Sequence, residues 1–435
     1  MTQHTAIYRM QIFAIVWVGQ LVSLIGSGLT SFALGVWVYQ RTGSVTQFAL
    51  ISLSIILPSI VVAPIAGVFV DRWDRRQVML IADGGAGLST LAITILLFLG
   101  HLEIWHIYLA TAVSSACKSI QMSAYTAVTT LLVPKEYLGR ANGLVYLGQS
   151  LAQLLSPILA GVLVVTIQIQ GVILLDFISF LVSLFTLLLV QFPQYEKTST
   201  DIAEKSSVLH EAAYGWNYVT ARPGLMGLMI FLTTTNFLIS IVEVLVTPLV
   251  LSFASSTILG IVLSVGGSGM VFGSLAMSYW GGSQHHINNV FCFMLLSGLS
   301  VMVAGLRPEA SLCALAAFLF FFSLPITNSS ILVIFQKKVA PNVQGRVFTL
   351  TETVTMLFRP LAYIIAGPLA DRIFEPLLAP GGLLVETVGQ IIGVGQGRGV
   401  GLLFIVTGIL TMLVTVVAFQ YPPLRLVEKE LPDAT

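Results

Sequence analysis

Long apolar runs, each closed by a short polar or Gly/Pro turn, recur from one end of the chain to the other. Stretches of about 18 or more such residues are what an α-helix needs to cross a bilayer core. Reading runs against turns predicts twelve spans, near 10–38, 46–70, 77–99, 104–133, 140–166, 170–192, 223–252, 257–279, 288–306, 310–337, 346–373 and 398–420. The one clear compositional break runs from Pro193 to Arg222 and carries Glu196, Lys197, Asp201, Glu204, Lys205 and Glu211. It divides the spans six plus six. The expected fold is therefore an all-α membrane protein: an N-terminal six-helix bundle over 1–192, a cytoplasmic linker over 193–222, and a C-terminal six-helix bundle with a cytoplasmic tail over 223–435. The first span is too long for the h-region of a cleaved leader and is expected to remain as the first helix. Residues 374–397, with Pro376, Pro380-Gly381-Gly382 and a glycine series, are expected to form a loosely ordered outer loop, a short surface helix near Leu383 to Val388 being the alternative.

Composition agrees with this pattern: 56% of the 435 residues are hydrophobic and only 9% are Asp, Glu, Lys or Arg. A net charge of +1 leaves no basic face for phosphates, which excludes nucleic acid as a partner. Cys117, Cys292 and Cys313 lie inside apolar runs and read as small buried hydrophobes, not as a disulfide framework or a zinc site. No metal and no cofactor is expected. Of the 20 Lys and Arg residues, Arg41, Arg307, Arg372 and Arg398 fall on one side of the spans, Lys118 and Arg359 fall within them, and the remaining fourteen share the side of the amino terminus. The positive-inside rule then places both termini in the cytoplasm. Nucleophile elbows, His-Glu-x-x-His and phosphate-loop motifs are absent from the sequence, so an enzyme is not expected. His285-His286 reads as solvated loop surface. A sensor or scaffold would need a soluble domain to relay its signal, and none is evident.

Charge is concentrated at one turn, where five of the six residues from Asp71 to Arg76 are ionisable. With Gly67 it reads Gly-x-x-x-Asp-Arg-x-x-Arg-Arg between two spans. This resembles the signature loop between helices 2 and 3 of the major facilitator superfamily of transporters, with Gly67, Asp71, Arg72, Arg75 and Arg76 fitting and Trp73-Asp74 replacing the commoner middle residues. The resemblance implies two pseudo-symmetric six-helix bundles, alternating access, and a conformational switch in which Asp71 faces the N-terminal end of a neighbouring helix while the arginines bind nearby carboxylates. A purely topogenic turn is the competing reading. The halves also repeat: an offset of 206 maps Gly139-Arg140 onto Gly345-Arg346, Ala160-Gly161 onto Ala366-Gly367 and Gly67 onto Gly273, but Asp71 onto Met277. The charged turn is thus not repeated.

Three further segments, Leu132 to Gly143, Gly345-Arg346-Val347-Phe348 and Gly367 to Arg372, resemble one branch of that superfamily, the drug:proton antiporter group containing macrolide efflux and enterobactin export proteins. In many relatives the position of Lys118 is a neutral polar residue, so this chain departs there. In the fifth span, Gly143, Ala152, Ser156-Pro157 and Ala160-Gly161 have the spacing of the superfamily's antiporter motif, with Ala or Ser in place of three glycines; ordinary small-residue packing is the alternative. What the branch implies is proton-coupled export of an amphipathic small molecule (a drug, a macrolide-like compound, a siderophore or a peptide) by a monomer in a bacterial-type cytoplasmic membrane. Movement of lipid or lysolipid on the same fold is the second reading.

Ionisable residues inside spans are functional candidates because a charge at bilayer depth costs at least ~2.5–3.5 kcal/mol. Here they are Lys118, Asp176, Glu243, Glu352 and Arg359. Ser114, Lys118, Gln121 and Tyr125 recur at helical spacing on the fourth span, and Thr233, Asn236, Ser240, Glu243 and Thr247 on the seventh. The first, fourth, seventh and tenth helices line the cavity in the resembled superfamily. That adds Gln20, Ser23, Ser27 and Ser31 on the first span and Ser323, Thr327 and Ser330 on the tenth; local bonds of the hydroxyls to their own helix are the competing view. The candidate cavity set is Gln20, Ser27, Lys118, Gln121, Tyr125, Asn236, Glu243, Thr327 and Arg359. Glu243 is the first expectation for proton coupling, with Asp176 and Glu352 behind it, and pairing of Glu243 with Lys118 or Arg359 competes with that role. Asp176 is expected near the outer face as a structural pair or cap. Glu352 and Arg359, seven residues apart, are expected on one face of the eleventh helix. Asp83 either joins the charged turn or snorkels inward.

Overall fold

The computed structural model describes residues 3–133, 138–190, 208–281, 285–340 and 343–430, excluding the side chains at 3–9, 64, 67–69, 71–72, 130–131, 139–140, 142, 208–212, 280 and 430. The described chain is almost entirely helical and carries no strand. It forms two compact units, residues 1–196 with 255–264, and residues 197–254 with 265–435.

In unit 1 the long helices are α1 (Gln3–Thr42), α2 (Val45–Arg72), α3 (Arg75–Phe98), α4 (Ile104–Leu132), α5 (Leu138–Thr166) and α6 (Gln168–Leu189). Asp74 caps α3 by accepting from the Gln77 amide at 3.0 Å, so the charged turn ends one helix and starts the next within two residues. In unit 2, α7 (Val208–Thr220) falls inside the predicted linker and packs on α8 (Pro223–Leu251) and α12 (Gln344–Leu357). There Arg222 stacks over the Tyr218 ring at 3.6 Å, and the Tyr218 hydroxyl accepts from the Ala340 amide at 3.2 Å. Helix α9 (Ser256–Trp280) follows, its first residues counted with unit 1, then α10 (His286–Leu306) and α11 (Ala310–Lys338). Gly269 and Gly273 let α9 lie directly against the Phe318 and Phe322 carbonyls of α11, where a methyl group would collide with backbone.

The predicted eleventh span is longer and more broken than a plain helix. After α12 the ladder is interrupted at Phe358, resumes as α13 (Arg359–Pro368), widens into a π-helical turn at Leu369–Phe374, and ends in α14 (Glu375–Leu378). Prolines account for the breaks: Pro360, Pro368 and Pro376 lack an N–H and crowd the carbonyl four residues back. The outer segment is not the loosely ordered loop expected. It contains α15 (Val388–Ile392), its Leu378 and Ile392 bury with Leu402 of α16 (Arg398–Gln420), and the Glu375 carboxylate accepts from the Gly397 and Val400 amides at 3.3 and 3.2 Å. Two short turns, α17 (Pro422–Arg425) and α18 (Val427–Glu430), close the unit. Glu428 caps α10 by accepting from the His286 and Ile287 amides, each at 3.1 Å, and its carbonyl accepts from Lys338 Nζ at 2.6 Å.

Among the described residues, eleven helices are long and apolar enough to cross a membrane. Helix α4 has 29 residues but is diluted by Ser114, Ser115, Lys118, Ser119 and Gln121. With it the long helices number twelve, where the twelve spans are predicted.

Unit 1 is layered along its helix axes. One apolar cluster gathers Ile12, Phe13 and Val16 of α1, Val78 and Met79 of α3, Ala124 to Leu132 of α4, and Leu187 of α6. A second gathers Leu29 to Val38 of α1, Ile93 of α3, Ile107 of α4, and Ile169 to Ile173 of α6. On each of these four helices the stretch left between the clusters carries the polar side chains.

Candidate functional site

That polar layer borders a half-open cavity of about 250 Å³ lined by α1, α2, α3, α4 and α6, all within unit 1. Gln20, 5% exposed, sits at its base. Its amide donates to Asp83 Oδ2 at 3.1 Å and to Ser183 Oγ at 3.0 Å, and its carbonyl accepts from the Gln121 amide. The Ser183 hydroxyl in turn donates a hydrogen bond to Asp83 Oδ2 at 3.2 Å, which closes a buried ring of Gln20, Asp83 and Ser183. About two turns further along, Asp176 accepts from Ser27 and Thr90, both at 3.4 Å. Both carboxylates are buried, at 7% exposure for Asp83 and 4% for Asp176. Lys118 of α4 lines the same cavity and is exposed into it, where it interacts electrostatically with Asp176 and Asp83.

Helical spacing explains why these groups converge. Asp83, Gly87 and Thr90 lie at offsets 0, 4 and 7 on α3, and Asp176, Ser179 and Ser183 at 0, 3 and 7 on α6, so each helix turns one face inward. Expected near the outer face as a structural pair or cap, Asp176 lines the cavity instead of capping a helix, held by hydroxyls of α1 and α3 and interacting electrostatically with Lys118. Asp83, expected to join the charged turn or to snorkel inward, is instead a member of this site. Tyr125 is buried in the adjoining apolar cluster, its hydroxyl without a partner, and lines a smaller neighbouring pocket with Gln20 and Gln121.

Unit 2 presents a different arrangement. Arg359 Nη2 donates to Glu243 Oε2 at 2.5 Å and to the Tyr363 hydroxyl at 3.4 Å, and that hydroxyl donates to Glu243 Oε2 at 3.1 Å. Of the two pairings open for Glu243, the one with Arg359 is present. The interruption at Phe358 separates Arg359 from Glu352, which is exposed on α12, so they do not share one continuous helix face as expected. The polar face of α8 is largely turned to its own backbone: Thr233, Asn236 and Ser240 donate to Met229, Leu232 and Asn236 carbonyls at 2.8, 2.9 and 2.8 Å. Thr327 is 2% exposed with its hydroxyl unpartnered, so it is packed away and lines no open space.

At the charged turn, Arg76 donates to the Leu187 and Leu188 carbonyls at 3.0 and 2.7 Å, and Arg75 to the Ala127 carbonyl at 3.0 Å. Arg76 therefore secures the carbonyl-rich end of α6, where a carboxylate partner was expected. The side chains of Gly67, Asp71 and Arg72 lie outside the described residues. In the fifth helix, Gly143 is exposed, Ala152 and Ala160 are buried, Ser156 donates to the Ile25 carbonyl at 3.2 Å, and Gly161 and Pro157 pack against residues 256–260 within unit 1. Thr257 donates to the Gly161 carbonyl at 3.0 Å. Among the described residues no group of three or more His, Cys, Asp or Glu could hold a metal ion.

Comparison with known proteins places these features in context. Residues 16–363 match the family model described as Major Facilitator Superfamily. The chain is 27% identical over 369 residues to macrolide efflux protein A of Streptococcus pyogenes, covering 83% of this chain and 90% of that one. It is 23% identical over 364 residues to the multidrug efflux pump Tap of Mycobacterium tuberculosis, covering 81% and 85%. Among solved structures, a bacterial homolog of the human lysosomal transporter Spinster, inward-facing and unoccupied, superposes with a TM-score of 0.70 at 12% identity, covering 97% of this chain and 98% of that one. A bacterial homologue of the iron transporter ferroportin, inward-facing, gives 0.68 at 15% identity, covering 94% and 98%.

Proposed function

The chain belongs to the major facilitator superfamily, and from that premise we propose that it is a proton-coupled exporter of amphipathic small molecules, as the names of its efflux relatives suggest. It works by alternating access as a monomer in a bacterial-type cytoplasmic membrane, with both termini inside, the two six-helix bundles at 1–192 and 223–435 joined by the 193–222 linker.

The observation that carries the reading is the polar layer of unit 1. Two buried carboxylates and a lysine at mid-bundle, between two apolar layers, are costly to insert, which supports a working role for them beyond the helix packing that the apolar layers supply. A cavity with Leu24, Ile55 and Phe180 beside Ser27, Thr90 and Gln121 suits a molecule with an apolar body and a polar edge. The two carboxylates outnumber the lysine, so one negative charge in the layer lacks a cationic partner, and that is where a transported proton is carried. Glu243, the first candidate from sequence, has its charge balanced by Arg359, which supports assigning coupling to Asp83 and Asp176 instead. The switch loop at Asp71 and the packing seam at Ser156 to Gly161 remain proposed parts of the rocking motion.

Purified protein in vesicles tests this. An imposed outward proton gradient, with the vesicle interior acidic, is expected to drive uphill accumulation of a macrolide or ethidium in exchange for protons, and a protonophore to abolish it. Accumulation indifferent to the protonophore overturns proton coupling.

A further inference from the structure

Lys118 is the ionisable group of the unit 1 layer that the coupling reading leaves without a task. It makes no hydrogen bond and no ion pair among the described residues, and its side chain is exposed into the cavity. A lysine whose work was to brace a carboxylate would close on it, as Arg359 closes on Glu243. Both carboxylates instead take neutral donors: Gln20 and Ser183 on Asp83, Ser27 and Thr90 on Asp176. The other titratable group close by is the Cys117 thiol, which interacts with Asp83; the facing positions of α1 and α2, Gln20, Ser27 and Ile55, carry no charge.

We propose that Lys118 sets the charge capacity of the cavity at one, so that a monovalent organic cation exchanges for a single proton and a divalent one is rejected. The inference rests on the export reading above. A site between apolar layers favours states of low net charge, with neutrality the preferred one. With Lys118 charged and both aspartates ionised the layer stands at minus one. One added positive charge restores neutrality, whether it arrives as a proton on an aspartate or as the cationic centre of a cargo. When the cargo binds, that proton leaves to bulk water; when the cargo leaves, a proton returns. A dication would drive the layer to plus one. Without the lysine, the same two carboxylates would hold two positive charges, either two protons or one dication. Lys118 thereby acts as a built-in, non-exchangeable cation that occupies half of the acidic capacity.

Ethidium and propidium test the inference, because they share a ring system and differ by one positive charge. Binding to purified protein in nanodiscs is read by fluorescence polarisation, and proton release by a pH dye in weakly buffered solution. Wild type is expected to prefer ethidium and to release one proton per ethidium bound. Lys118→Met is expected to shift the ratio of affinities toward propidium by at least about tenfold and to release two protons per propidium, while Lys118→Arg keeps the wild-type ratio. If Lys118→Met does not fold, Lys118→Gln takes its place, and the wild-type proton count stands by itself. An unchanged affinity ratio, two protons released per ethidium by wild type, or no ethidium binding to wild type overturns the proposal. A shifted ratio with no proton release from wild type upholds charge selection by Lys118 but overturns proton coupling at this layer.

Discussion

The two units carry their mid-membrane charges in opposite ways. In unit 2, Glu243, Arg359 and Tyr363 form a closed set in which the charges cancel and each polar head has found another. In unit 1, two acids and a lysine share one cavity, the acids are held by hydroxyls and an amide, and the lysine is left facing open space. A closed pair can stabilise a conformation but has nothing spare to exchange. An unbalanced set pays in stability for keeping a charge available. Under the proposed function, the difference assigns exchange chemistry to unit 1 and bracing to unit 2.

The sharpest way to break this contrast is to neutralise one carboxylate on each side. Asp176→Asn is expected to reduce proton-driven uphill accumulation in vesicles to the level of empty vesicles, because the hydrogen bonds from Ser27 and Thr90 can persist while the exchangeable charge is gone. Glu243→Gln is expected to retain most of that transport, since glutamine can still accept from Arg359 and Tyr363. The reverse ranking, at equal membrane abundance, would move coupling to unit 2.

A smaller effect is expected from Arg359→Met, which strands Glu243 beside an apolar chain. The pair is part-exposed, with 29% of the arginine and 51% of the glutamate side chain accessible. A loss of about 1–3 kcal/mol, between the values for exposed and buried pairs, should therefore appear in thermal unfolding. Adding Glu243→Gln to it should recover part of that loss, and a strictly additive double-mutant cycle would show that the pair does not couple. The smallest change is Tyr363→Phe, which removes one hydrogen bond to Glu243 and should cost about 0.5–1.5 kcal/mol with transport intact. A larger transport defect than stability defect would give the phenol a working role.

Much of this could be read from residue order, and the limits are physical. Span number and the inward faces of α1 and α4 follow from period and hydropathy, which act within one helix; Gln20, Ser27, Lys118 and Gln121 were legible for that reason. Asp83 was not, because it lies close in sequence to the arginines of the charged turn, and only the packing of α3 against α1 and α6 shows that it faces Gln20 and Ser183. The partner of Glu243 is narrowed to Lys118 or Arg359 as the cations within spans, but across 116 residues local periodicity does not choose between them. The outer segment misled for another reason. Its glycines and prolines suggested disorder, but order there comes from amide groups bound by Glu375 and from Arg398 donating to the Ile392 carbonyl at 3.0 Å, interactions that composition does not register.

The turn at residues 422–430 has a bearing on how the protein is made. Leu424 and Val427 are 1% and 0% exposed within the core of unit 2, and Glu428 supplies the cap that α10 lacks at its start. Chains are synthesised from the amino terminus, and units close as their parts emerge. Unit 1 has all its pieces once residue 264 has left the ribosome, whereas unit 2 must wait through more than 160 further residues, 428 against 264, with the first amides of α10 uncapped. During biogenesis the second half is therefore the later to complete its packing, and truncations or fusions that disturb Leu424 to Glu428 are expected to lower its abundance in the membrane.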